Sequence, residues 1–451
     1  MNKFLKSVLF IFLTIMSGTL SVSAYDFEYD GLYYKLLPNG TVSVVNGDVA
    51  YSGDIVIPPM VDRGELSYPV TAIGEQAFFC CNELTSVVIP DGVETIGKHA
   101  FYGCSSLTKI TIGTGVKSIA NYAFLDITAD VHITNLAAWC DINFGGEWAN
   151  PLCIDGRLWV NGELAEDIEI PDGVASIKPF AFYRCASIRS VKIPDSVKSI
   201  GQAAFRYCGN ITDIQFGGGI KTIGFNSFGS CSGLTNLNLP SSLETIGHSA
   251  FAMCKSLSEV VIPDGVTSIS GEAFHSCKAM KTVVLGKSVG SMDYGVFANC
   301  ESLETVILPS SLISMGENVF IGCNSIKSVS CGAMTPPAAP MSSFTDAAYA
   351  TAALIVPDDA VDSYTQSQWC WSLFANLRGE SAGISDAAAD GVEVKVVGHN
   401  VVIEGDKNGP SVSIYSLDGA LVYRGNDSVI SLSNRGVYIV TVGGNTCKII
   451  M

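Results

Sequence analysis

Apolar residues recur along most of this chain at intervals that fit neither one amphipathic helix nor one isolated strand. The segment Ile89-Pro90-Asp91-Gly92-Val93, Ile96-Gly97, Ala100-Phe101, Cys104, Leu107 and Ile110 shows the frame, which returns at Ile193-Pro194, Leu239-Pro240 and Ile262-Pro263. Its clearest marker is a phenylalanine, at Phe78, Phe101, Phe124, Phe182, Phe205, Phe228, Phe251, Phe274, Phe297 and Phe320. Every step is 23 residues except Phe124 to Phe182, which is 58. Such a period predicts a stacked array, because one short unit cannot bury its apolar face alone and neighbouring units can bury it for each other. Within each unit the stretch equivalent to 109–112 alternates in and out, which predicts a short strand. Stacked strands give a parallel sheet with rungs about 4.8 Å apart. The following proline has no N–H to continue the ladder and ends the strand. The Ile-Gly-x-x-Ala-Phe stretch is expected to turn the chain back, with Phe on the opposite wall of the core.

The cysteines keep the same register. Cys81, Cys104, Cys185, Cys208, Cys231, Cys254, Cys277, Cys300 and Cys323 each lie three residues after a marker Phe. One residue type held in one slot predicts an inward ladder of small apolar thiols. Cross-linking of neighbouring rungs would have to meet strict disulfide geometry. No Cys-x-x-Cys pair is joined by a second pair or by a His at zinc spacing, so no metal site or cofactor is expected.

Breaks in the frame divide the chain. Residues 25–65, rich in Tyr, Asp and Gly, are expected to form an N-terminal β cap over the open edge of the array. The repeats occupy 66–330, with an insertion at 127–167 that gathers Trp139, Phe144, Trp148 and Trp159 around an Asn161-Gly162 hairpin signal. That step exceeds one period by 35 residues, enough for a degenerate coil and a protruding hairpin. Residues 331–379 form a C-terminal cap, with a last strand at 354–357 and Tyr364, Trp369, Trp371 and Phe374 as a plug. A linker follows at 380–391. Residues 392–451 read as a small β-sandwich, with strands at 393–397, 401–404, 412–415, 421–423, 437–442 and 446–450 and turns at Asp418-Gly419 and Gly443-Gly444-Asn445.

Composition narrows the functional classes. The chain has 451 residues with 48% hydrophobic and 15% charged side chains, which excludes a disordered chain. The formal charge of −17 disfavours nucleic acid as a partner. Residues 1–24 carry Lys3 and Lys6, an apolar stretch and a small-residue end at Val22-Ser23-Ala24, the pattern of an export signal cleaved before Tyr25. Its removal takes the formal charge to −19, and no later stretch reaches the about 18 apolar residues of a membrane helix. The mature chain is expected to be exported, at the cell surface or secreted.

Catalytic chemistry finds no constellation. His99, His132, His248, His275 and His399 sit at different phases of the repeat and do not converge. Gly217-Gly218-Gly219 falls where a strand ends and is a turn variant, not a phosphate loop. Ladder thiols buried among apolar groups lack the thiolate that a nucleophile needs.

The Leu107, Ile110, Ile112 spacing matches a leucine-rich-repeat pattern, and the frame Ile-Pro-x-x-Val-x-x-Ile-Gly-x-x-Ala-Phe-x-x-Cys-x-x-Leu resembles the BspA-type leucine-rich repeats of bacterial surface proteins. The resemblance extends to Leu136-Ala137-Ala138-Trp139-Cys140 with Asn150-Pro151-Leu152 in the insertion, and to the cap at 354–357 with Tyr364 and Trp369. It implies a mainly β leucine-rich-repeat solenoid of an exported, often surface-attached protein. It also implies an adhesin-like role, binding host matrix proteins or other cells, and the partners expected are protein or glycan ligands on host or bacterial surfaces. The tail is similar to the sorting domain of the type IX secretion system, through Val412-Ser413-Ile414-Tyr415, Gly419, Gly436-Val437-Tyr438-Ile439-Val440 and Lys448. That resemblance implies recognition by secretion machinery. Asn434-Arg435 and the apolar Met451 depart from its pattern.

A ligand surface is expected on the outward strand face, five and seven residues after each ladder Cys. The candidate binding residues are Thr111, Lys192, Gln215, Asn238, Glu259, Val261, Thr282, Val284, Thr305 and Ile307. Val261, Val284 and Ile307 form an apolar line in register, expected to be exposed and to contact a partner. The alternative is ordinary β propensity on that face, in a structural surface or spacer protein with no specific ligand.

Overall fold

The computed structural model describes residues 25–154, 156–380, 393–397, 400–404, 412–416, 421–427, 429–432, 437–442 and 445–450. The expected export signal at 1–24, the expected linker beyond Glu380, His399, the expected turns at Asp418-Gly419 and Gly443-Gly444, and Asn434-Arg435 and Met451 lie outside them. The protein is mainly β, a parallel solenoid of about 13 turns followed by antiparallel sheet.

Each turn of the solenoid has three sides. The first is the strand expected from the alternation, such as Lys109–Ile112, where Ile110 and Ile112 are buried and Lys109 is exposed. It pairs in parallel with Glu83–Ile89, Ser86 opposite Lys109 and Val87 opposite Ile110, one period apart. The second side is a ladder of two-residue strands, Thr95–Ile96 beside Ser118–Ile119 and Ser199–Ile200 beside Thr222–Ile223. The third side has no strand, yet its backbone also pairs between turns. Phe101 N–H donates to Ala123 O at 2.8 Å and Phe205 N–H to Ser227 O at 2.8 Å.

That third side needs left-handed backbone two residues before and two residues after the marker Phe. Ala203 (φ 50°) and Tyr207 (φ 64°) flank Phe205, and Glu272 (φ 56°) and Ser276 (φ 59°) flank Phe274. Side chains at these positions accept a local strain that the stacked turns hold in place. The glycine of Ile-Gly answers a different demand. A Cβ on Gly97 would lie 2.5 Å from Glu75 N, because the preceding turn passes directly beneath it. Gly217 is fixed in the same way: its Cβ would lie 2.4 Å from the carbonyl carbon of Pro194 in the turn before.

The core is a phenylalanine stack with a thiol ladder beside it. Phe205 and Phe228 have ring centroids 5.2 Å apart and planes 2° apart, and Phe228 and Phe251 are at 5.4 Å and 3°. The ladder cysteines are free and buried, and from Cys208 to Cys323 each thiol donates to a carbonyl one turn back. Cys208 Sγ donates to Phe182 O at 3.0 Å, Cys231 to Phe205 O at 3.2 Å and Cys254 to Phe228 O at 3.3 Å. Cys80, beside the first ladder position, is exposed. Maleimide at pH 7 is therefore expected to modify Cys80 in the folded chain and to reach the ladder cysteines only after unfolding, as peptide mass spectrometry would read. Ready modification of Cys231 or Cys254 in the folded chain would contradict the ladder.

The insertion splices the stack. Within a regular run, the carbonyl before each Phe receives the N–H of the preceding Phe. At Ala181 O the donors are instead Trp139 Nε1 at 2.8 Å and Asn150 Nδ2 at 3.0 Å. The hairpin of Leu158–Val160 and Glu163–Leu164 turns at Asn161 (φ 54°) and Gly162 (φ 86°). It does not protrude: Leu158–Val160 pairs in parallel with Asp130–Ile133, so the hairpin closes the first strand sheet in its own plane.

At the C-terminal end Phe344 continues the stack, 4.8 Å from Phe320, and Trp371 and Phe374 meet it edge-on. The strand Ala353–Val356 is followed by one more, Asn376–Gly379, which pairs with it and ends the sheet. The C-terminal unit has a three-stranded sheet (Glu393–Val397, Asn400–Glu404, Val429–Ser431) and a four-stranded sheet (Leu421–Gly425, Val412–Ser416, Val437–Val442, Asn445–Ile450). Val401 and Ile430 from the first sheet and Val412, Ile414 and Val440 from the second share a core of their own.

Candidate functional site

The outward strand face is built from residues whose neighbours in sequence point inward. It runs in three stretches. The first ends at the insertion hairpin. The second, Asp167–Glu169, Ser190–Ile193 and Asp213–Phe216, stops where the Asn236 and Asn238 turn forms no regular strand. Asparagine fits a pleated ladder poorly, which accounts for the gap. The third runs from Glu259–Val261 to Asn376–Gly379.

On the first stretch Thr111 stands half-buried, with Ser86–Val88 on one side and His132 and Trp159 on the other. His132 stacks on Trp159 at 5.5 Å and 13°. Arg157 lies over the indole at 5.9 Å and forms a two-pronged pair with Asp130, at 2.9 and 2.6 Å. Trp159 Nε1 is shielded and has no hydrogen-bond partner. Burial beside Trp159, and then the positive Lys109, hold the His132 imidazole below its usual range, which favours the neutral ring. Of the insertion's other aromatics, Trp139 and Phe144 lie in the core and Trp148 is half-buried.

On the second stretch Lys192 and Gln215 are exposed, Lys192 paired with Glu169 and Gln215 with Asp213. They border an open groove of about 510 Å³ whose lining includes Asp172, Asp195 and Phe216. Like-phase pairs of this kind recur around the solenoid: Lys117 with Glu94 at 2.7 Å, Lys221 with Glu244 at 2.6 Å, Lys278 with Glu301 at 2.7 Å. Each is exposed and contributes little to stability. Opposite charges one period apart were a sequence signal for them.

The third stretch departs from the expectation. Val284 and Ile307 are fully buried, Val261 is half-buried and Thr282 is 3% exposed. The apolar line is not open to solvent, because Tyr415 and Ile439 of the C-terminal unit pack onto Val261, Val284 and Ile307. Arg424 reaches across as well, its Nη2 2.9 Å from Glu259 Oε1 and its Nη1 donating to Asn238 Oδ1 at 2.8 Å. Thr305 is half-buried in the row beside them. The signal for this contact was local on neither side.

Chemistry on the remaining groups is limited. Desolvation pushes the ladder thiols up, to about 12 for Cys104 and Cys254, so they carry no thiolate at neutral pH. The histidines stay apart: His99 stacks on Tyr122, His248 on Phe225, and His275 bonds Asn299. Among the described residues no group of three or more His, Cys, Asp or Glu side chains gathers as metal ligands. No described helix is long and apolar enough to cross a membrane.

A parallel solenoid with one strand, one Phe turn and one thiol per short repeat defines a leucine-rich-repeat protein. The BspA type leucine-rich repeat model matches residues 64–138, 159–279 and 245–336 in 6 copies, and the chain belongs to that family. It is similar to the crystal structure of a leucine-rich repeat protein from Bacteroides ovatus, with a TM-score of 0.53, 25% identity, and coverage of 79% of this chain and 90% of that one. A leucine rich cell surface protein from Faecalibacterium prausnitzii matches with a TM-score of 0.43 and 24% identity, over 79% of this chain and 95% of that one. The chain has no match among curated proteins. The family and fold are those of repeat proteins that are typically surface-exposed and non-enzymatic.

Proposed function

We propose that the chain is an exported, non-catalytic binding protein of the cell surface. In this reading it grips protein or glycan ligands on host or bacterial surfaces, adhesin-like, with the part of the strand face left open. The observation that carries the reading is two open patches, Thr111 with His132 and Trp159 on the first stretch and Lys192 with Gln215 on the second, each fixed by sheet backbone and together offering aromatic, cationic and amide groups. Rigid sheets lose little freedom on binding, so such a face suits recognition. A stacked aromatic pair is the kind of group on which contact energy concentrates. The C-terminal unit, on its resemblance, would be the part that secretion machinery recognises.

The test is a binding screen of the exported chain against matrix proteins, glycans and whole bacterial cells. Saturable binding is expected, weakened about tenfold or more by Trp159→Ala or Lys192→Glu, as for a central interface residue. The melting temperature should stay within a few degrees, since both side chains lie outside the core. Absence of saturable binding across the panel would overturn the proposal in favour of a spacer. Binding untouched by both substitutions would remove it from this face.

A further inference from the structure

The strand face carries an occupant that belongs to the chain itself. The two bodies have separate cores, one running the length of the solenoid and one inside the C-terminal unit. Between them lies a third cluster of only Val284, Ile307, Tyr415 and Ile439, with Val261 at its edge. Neither core includes that cluster. The polar part of the contact is Arg424. Its guanidinium joins Glu259 and Asn238 on the solenoid to Ser413, whose Oγ accepts from Nε at 3.2 Å, and to Tyr415, whose hydroxyl lies 3.4 Å from Nη2. Glu259 and Arg424 are each 28% exposed, so water reaches the latch while the apolar cluster beside it is dry.

We infer that the C-terminal unit is a detachable cover for the strand face, seated on the Val261–Val284–Ile307 line and latched by Arg424 on Glu259 and Asn238. Docked, it removes the third stretch of the face from any external ligand. Undocked, it uncovers an apolar line bordered by Glu259, a surface that fits a β-edged or aromatic partner carrying a cation, the chemistry the cover itself presents. The small contact makes the exchange between the two states accessible without unfolding. This inference stands apart from ligand binding by the open rows: the cover can exist whether or not those rows bind anything.

The experiment is side-chain footprinting of the full chain with a short-lived carbene or hydroxyl radical, read by peptide mass spectrometry. Arg424→Glu faces Glu259 with a second carboxylate, and Val284→Asp places a charge in the dry cluster. Both are expected to raise labelling of Ile307 and Tyr415 about tenfold or more, the effect of losing a charge-assisted contact and gaining a repulsive one. The double exchange Glu259→Arg with Arg424→Glu should return the labelling toward the starting level. Circular dichroism and the melting of the solenoid should be unchanged in all three. Three results would each overturn the inference. One is labelling that either single variant leaves unchanged. Another is exposure accompanied by loss of solenoid structure, which would make the contact part of the fold. The last is a concentration-dependent dimer of the wild-type chain that Arg424→Glu dissolves, which would make the occupant a second copy.

Discussion

Raising the pH from 8 to 10 in the presence of a reductant is expected to unfold the solenoid. The cause is the thiol ladder. Burial among apolar groups pushes Cys104, Cys140, Cys153, Cys254 and Cys370 up to about 12, and Cys208, Cys231 and Cys300 well above the ordinary thiol range. In the unfolded chain the same thiols ionise near pH 8.5. The folded pKa is the raised one, so the stabilisation is complete below the unfolded value and is lost as pH climbs toward the folded one. Between the two values the folded state keeps protons that the unfolded state has released, and each thiol lowers stability by about 1.4 kcal/mol per pH unit. Several such thiols in register add to a slope of several kcal/mol per pH unit, which within one or two pH units is comparable with the entire stability of an ordinary domain, about 5–15 kcal/mol. Buried Tyr34, Tyr51 and Tyr364, all pushed up chiefly by desolvation, steepen the fall above about pH 10. The check is the urea midpoint measured at half-unit steps of pH. A variant with Cys208, Cys231 and Cys254 all changed to Ala should start less stable at pH 7 and show a slope shallower by about 4 kcal/mol per pH unit. A wild-type midpoint that stays flat from pH 8 to 10 would mean that the thiols ionise in place, and the dry ladder would be wrong.

How much of this was legible in the sequence depended on whether the signal was periodic. The marker Phe, the ladder Cys and the alternation at 109–112 are each set by contacts to the neighbouring turn, and every turn repeats the same demand in the same slot. Wall, stack and ladder therefore followed from spacing. Phe344 escaped because it stands 24 residues after Phe320, one out of step, yet it stacks on that ring at 4.8 Å. The left-handed positions escaped because Ala, Tyr, Glu and Ser fill them where glycine would have marked them. The extra strand at Asn376–Gly379 carries one half-buried apolar residue, Leu377, and little alternation. For the candidate site the limit was different. Thr111, Lys192 and Gln215 stand outward where the register put them. Val284 and Ile307 stand outward as well, but what covers an outward residue is decided by a segment more than a hundred residues away. No local pattern carries that information.

Phe228→Ala is expected to cost about 3–5 kcal/mol and to split the unfolding of the solenoid into two transitions. The cost comes from emptying a fully buried slot between Phe205 at 5.2 Å and Phe251 at 5.4 Å, with Phe216 edge-on at 5.8 Å. The split comes from where the slot lies. In a solenoid each turn is held only by its neighbours, so cooperativity passes through the weakest interface. The strand ladder is already interrupted beside this turn, at Asn236 and Asn238, whereas the two-residue strands still pair from Thr222–Ile223 to Thr245–Ile246. Continuity here passes through that narrow ladder, the backbone bonds from Asn226, Phe228 and Ser230 N–H to His248, Ala250 and Ala252 O at 3.0, 2.8 and 2.7 Å, the Cys254 thiol on Phe228 O, and the ring stack. Removing the ring leaves the two halves joined at a turn that already lacks its strand ladder. Phe79→Ala is the control. Its ring also stacks, on Tyr102 at 5.2 Å, but it is 43% exposed, and its loss should cost under about 1 kcal/mol with one transition retained. Urea unfolding followed by circular dichroism gives the costs, and hydrogen exchange read by peptide shows which half opens first. Equal small effects of the two substitutions would mean that the stack is a by-product of close turns, with the thiol ladder and the strands holding the array together. A large loss in a single transition would mean that the Asn236 turn transmits cooperativity despite its broken strand.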